Sequence, residues 1–114
     1  MKKLVFQTFI VFILLSVLPA CSSSKYQILN KVNVSYFVVV SKSIATDRAE
    51  LTDISHEICS GKNVCAIFFW VDRNRAGRNL DITDEQFKAI IAKYNFNSNS
   101  GIDKLMLCNF DACN

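Results

Sequence analysis

One histidine, His56, and one proline, Pro19, stand in the whole chain, and glycine is nearly as scarce, with 3 among 114 residues. A lone histidine with no spaced partner supports neither a metal site nor a base oriented by a second group. His56 also lies off the apolar stripe of its segment, so it reads as an exposed side chain with no catalytic or metal role. There is no Gly-rich loop to cradle phosphate, no Ser/His/Asp set with a local signature, and no His/Cys spacing of a zinc site. Neither a cofactor nor a metal is expected. Internal repeats are absent too, and the first apolar stretch stops at roughly 15 residues, short of the ~20 that carry a helix across a bilayer.

That stretch is present for another reason. Lys2 and Lys3 precede the apolar run Leu4 to Leu18, the layout of a secretory signal peptide. Its end, Leu18-Pro19-Ala20-Cys21, resembles the lipobox of bacterial lipoproteins. The resemblance covers residues 1 to 21 only. It implies cleavage before Cys21, acylation of Cys21, and localisation in the cell envelope by a lipid anchor. Ser22 after the cysteine, rather than Asp, implies the periplasmic face of the outer membrane if the cell has one. Cysteine arithmetic points the same way: the 5 cysteines are an odd number for an exported chain, and acylating Cys21 leaves Cys59, Cys65, Cys108 and Cys113 as an even set.

The expected organisation is a cleaved signal at 1–20, a lipidated cysteine and polar tether at 21–25, and a single domain at 26–114. With Lys2 and Lys3 gone, eleven of the 13 basic residues face all 10 acidic ones, a net charge of +1. A near-neutral domain lacks the basic face that nucleic acid requires. Its 94 residues from Cys21 onward form one domain at most, small enough for disulfides to matter.

Within the domain, the eight apolar residues Val64 to Val71 run without a break. Such a run, rich in β-branched and aromatic side chains, predicts a strand covered on both faces. Val34 to Ser41 and Lys104 to Phe110 read as two further strands, whereas Tyr26 to Lys31 is ambiguous. Asp47 with Glu50 is a capping-box pattern, and Leu51, Ile54 and Ile58 follow on one helical face up to Gly61. Glu50, Asp53 and Glu57 form an acidic stripe beside that face, read as a solvated flank. Thr83 with Gln86 is a second capping box, followed at helical spacing by Phe87, Ile90, Ile91 and Tyr94. Asp84 and Glu85 fall in the first turn of that helix, where negative charge suits the dipole.

The resulting order is β-α-β-α-β. It predicts a small α/β domain with a three-stranded, mainly parallel or mixed sheet, two helices, and disulfide stabilisation. If both crossovers are right-handed and the strands lie in sequence order, both helices cover one face. Cover for the other is then left to residues 25 to 33, to the tail, to a different strand order, or to a partner. In a parallel crossover Cys59 and Cys65 meet at one end of the sheet, which predicts Cys59–Cys65 and leaves Cys108–Cys113. Both gaps are too wide for a redox motif with two intervening residues.

Between the central strand and the second helix lies Asp72-Arg73-Asn74-Arg75-Ala76-Gly77-Arg78-Asn79. Asp72, Asn74 and Gly77 match three positions of a calcium loop, but Ala76 and Thr83 fail the others and three arginines oppose a cation. Ligands of open α/β sheets sit beyond the carboxyl ends of the strands. There this chain places Asp72, Arg73, Arg75 and Arg78, with Trp70 just beneath, and Arg suits phosphate or carboxylate groups. The reading is a lipid-anchored binding module whose Trp70, Asp72, Arg73, Arg75 and Arg78 meet an envelope protein or anionic envelope component. Its rivals are a small periplasmic enzyme using Asp72, Arg73 and His56, and a purely structural surface lipoprotein.

Overall fold

The computed structural model describes residues 25–108. The expected signal segment, the expected acylation site Cys21 and the cysteine Cys113 expected to pair with Cys108 lie outside these residues. The element order is β1 (Tyr26–Val32), β2 (Ser35–Val40), α1 (Arg48–Cys59), β3 (Val64–Trp70), α2 (Asp84–Lys88), β4 (Ala92–Asn97) and β5 (Ile102–Leu107), with short 3-10 turns at Lys42–Ile44 and Arg73–Arg75.

The domain is mixed α/β, but its sheet has five strands, not three, in the order β1-β2-β3-β4-β5. Only β2 and β3 are parallel; β1/β2, β3/β4 and β4/β5 are antiparallel. The two extra strands have distinct causes. β1 escapes a periodicity reading because its register slips between Ile28 and Asn30, a bulge that breaks the alternation of an edge strand. Asn33, at φ 55°, then turns the chain into β2, a left-handed conformation Asn tolerates better than most residues.

β4 replaces what helical spacing assigned to the second helix. The reciprocal Thr83–Gln86 capping box forms as expected, yet α2 stops at Lys88, only five residues long. From Ala92 the chain is extended, with Ala92 opposite Phe69 and Tyr94 opposite Ile67 on the central strand. Ala92, Tyr94 and Phe96 alternate toward the core, so burial beside β3 outweighs a helical pattern carried by only four side chains. The last strand pairs with β4 and not with β3, and it ends at Leu107 short of the predicted Phe110.

The two faces of the sheet are covered differently. α1 packs Leu51, Ile54 and Ile58 against Val38, Val40, Ile67, Phe69, Tyr94 and Leu107. Asp47 caps its start by accepting from the Glu50 amide at 3.1 Å, and Gly61, at φ 77°, follows its end. The opposite face holds Phe37 and Trp70, both fully buried, beneath Ala76, Ile82, Ala89 and Ile90 of the segment that joins β3 to β4. A long connection, aided by Leu29 and Val32 of β1, thus does what a second crossover helix was expected to leave undone. Side chains buried to this degree contribute about 1.5–3 kcal/mol each, so both covers stabilise the sheet.

Cys59 and Cys65 are bridged as predicted, their Cα atoms 5.7 Å apart, joining the end of α1 to the start of β3. Cys108 is also disulfide-bonded.

Candidate functional site

Because β2 and β3 are parallel, Val40 and Trp70 leave the sheet at one edge. Tyr26 is opposite Val40, so the chain enters β1 at that same edge. Beyond Trp70, Asp72 caps the turn Arg73–Arg75 by accepting from the Asn74 amide at 2.9 Å. The loop is then stitched to the edge strand. Arg73 Nη1 donates to Gln27 Oε1, and Asn30 Nδ2 donates to the Arg78 carbonyl.

These contacts frame a cleft of about 460 Å³, lined by Arg73, Asn74, Arg78, Asn79, Asp81 and Gln86 among others. Two guanidinium groups and one carboxylate line it, with amide and hydroxyl groups between, a composition suited to an anionic group. Of the predicted set, Arg73 and Arg78 share this cleft, while Arg75 is exposed on its turn outside the lining. The Asp72 carboxylate is committed to the loop's own backbone.

Trp70 is a structural base and not a contact surface. It is fully buried, its Nε1–H donates to the Gln86 carbonyl at 2.8 Å, and its ring lies between Phe37 and the connection. Gly77 passes so close that a Cβ there would stand 3.2 Å from the ring. Glycine at position 77 therefore serves close packing on Trp70, which accounts for the glycine of the superficial calcium pattern. Among the described residues no three His, Cys, Asp or Glu side chains are grouped to hold a metal ion.

The acidic stripe occupies the other side of β1. Glu50, Asp53 and Glu57 line a second cleft of about 560 Å³ with Lys25, Tyr26 and Ile54. Two of its carboxylates are engaged: Glu50 with Lys25 at 3.0 Å, and Glu57 with the Tyr26 hydroxyl. Those partners respond in kind. The Lys25 ammonium is held above its ordinary pKa by Glu50, and the Tyr26 phenol is raised by its bond to Glu57.

His56 is exposed, as its place off the apolar stripe predicts, but it has partners that spacing in the sequence could not supply. Its Nε2 lies 3.3 Å from Asp103 Oδ1 on β5, and its ring meets Tyr94 edge-on at 5.9 Å. Asp103 also accepts from the Tyr94 hydroxyl at 2.6 Å. Arg73, by contrast, is bonded to β1, so the three residues of the rival catalytic set are divided between opposite edges of the sheet.

Compared with known protein families, with curated proteins and with solved structures, the chain matches none. Among the described residues no helix is long and apolar enough to cross a membrane.

Proposed function

We propose that this protein is a lipid-anchored interaction module of the cell envelope. Its arginine-lined cleft receives an anionic group of an envelope component or partner protein. The observation that carries the reading is the joining of Arg73 and Arg78 in one cleft at the carboxyl edge of the parallel strands, on a loop fastened to β1 and seated on Trp70. Such fastening reduces the ordering that binding would otherwise require of a free loop. The acidic cleft supports the reading less well, because two of its three carboxylates already have partners within the domain.

Changing Arg73, Arg75 and Arg78 together to Ala in the intact lipoprotein tests it. Truncating a buried, paired arginine costs about 2 kcal/mol or more of binding, whereas loss of an exposed one costs under ~1. Crosslinked partners should therefore be depleted by tenfold or more in a variant of unchanged stability, on the order of magnitude set by that cost. An identical crosslinking pattern would reduce the loop to a solvated connection.

A further inference from the structure

The edge that carries Arg73 is also the edge from which the tether leaves. Lys25, the last residue of the tether, accepts at its carbonyl from the Ser41 amide at 3.4 Å, which sets it beside Lys42. Arg73 is bonded to Gln27, two residues into the domain. Lys25, Lys42, Arg73 and Arg75 thus surround the point where the chain enters the sheet.

We propose that the anionic component met by this edge is the surface of the anchoring membrane itself, with these four side chains resting against anionic phospholipid headgroups. The inference rests on the reading of Cys21 as the lipid attachment. Three residues, Ser22 to Ser24, separate Cys21 from Lys25, a fully extended span of at most about 14 Å. Charges interact in physiological salt over about 8 Å, so long basic side chains at this edge fall within range of a charged bilayer.

Of the four carboxylates near this edge, Asp53 acts on Lys25 and the other three are engaged within the domain. Asp47 and Asp72 are turned onto the amides of Glu50 and Asn74, and Glu50 is paired with Lys25. Among the described residues Lys42 and Arg75 carry no ion pair. At the opposite edge Lys31 and Lys62 both lie over the Tyr36 ring, at 5.5 and 5.8 Å. Of the large exposed apolar side chains, Val34, Val64 and Ile102 belong to that far edge. Arg78, held beside Asn30 midway along β1, is left to the cleft. Each basic residue close to an anionic surface strengthens attachment roughly fivefold.

The test uses the purified, acylated chain reconstituted on vesicles of phosphatidylcholine alone or mixed with phosphatidylglycerol, with amine labelling read at each lysine by mass spectrometry. Labelling of Lys25 and Lys42 should fall at least about fivefold on the anionic vesicles and recover in high salt, while Lys31 and Lys62 label equally on both. Arg73→Gln with Arg75→Gln should remove most of the protection without altering flotation. Equal labelling of Lys25 and Lys42 on the two vesicle types, or protection that survives high salt, overturns the inference. So does protection that appears only on native membranes, which would identify a protein occupant. Flotation on phosphatidylcholine in high salt reports the anchor separately: a chain that fails to float there refutes the reading of Cys21, whereas one that floats unprotected refutes only the lipid contact.

Discussion

Asp103 is where two strands and a helix are fastened by polar groups, through the Tyr94 hydroxyl and His56. The bond from Tyr94, with a smaller contribution from His56, holds the Asp103 carboxyl below its ordinary value of 3.8. Burial and the same bond raise the Tyr94 phenol above its ordinary 10.0. A depressed carboxyl contributes stability that is fully present above 3.8 and lost as pH falls through the folded value. A raised phenol contributes stability present below 10.0 and lost as pH rises beyond it. Tyr94→Phe keeps the ring and removes the bond, so it should cost about 1 kcal/mol at neutral pH, less in proportion to solvent screening of the half-exposed carboxylate. It should also flatten both pH arms of a urea-unfolding series. Unaltered arms would show the bond to be energetically idle.

At the scale of elements, the most local signals were legible. The first helix was readable because cap, apolar stripe and terminal glycine agree: Asp47 accepts from the Glu50 amide, Leu51, Ile54 and Ile58 are buried, and Gly61 has positive φ. β4 was not readable. Ile90 and Tyr94 fit a helical repeat while Ala92, Tyr94 and Phe96 fit an alternating one, and only the neighbouring β3 decides between them. The site divides in the same way. A row of arginines beyond a central strand is visible in sequence, but the bond from Arg73 to Gln27 joins residues 46 apart and depends on a strand that the bulge disguised. The Cys59–Cys65 bridge was legible because its ends lie 6 residues apart, one closing α1 and the other opening β3, with the turn through Gly61 between them. Its short loop constrains the unfolded chain by about 2 kcal/mol. Replacing both cysteines by Ala should lower unfolding stability by that order while leaving the circular dichroism of the fold unchanged; an unaltered denaturation midpoint would contradict it.

For the whole molecule, the described residues begin four positions after Cys21, so a lipid on Cys21 would couple attachment to orientation through a very short linker. If Cys21 is acylated, Cys21→Ser should abolish labelling by palmitate and move the protein out of the membrane fraction. Each buried methylene of an acyl chain contributes about 0.8 kcal/mol, and among the described residues no helix is long and apolar enough to cross the membrane in its place. A Cys21→Ser chain that still incorporates palmitate, or a mature wild type that retains residues 1 to 20, would be incompatible with the lipoprotein reading.

The spatial order of the five strands equals their order along the chain. Every strand therefore bonds to the strand made just before it, and no strand must wait for a later one to be slotted between earlier partners. Short separations between contacting residues favour rapid folding. A polypeptide emerging amino end first can thus zip its sheet from one side, strand by strand. Its raw edge at each stage is the docking place of the next segment, until β5 brings in Leu105 and Leu107 to complete the core.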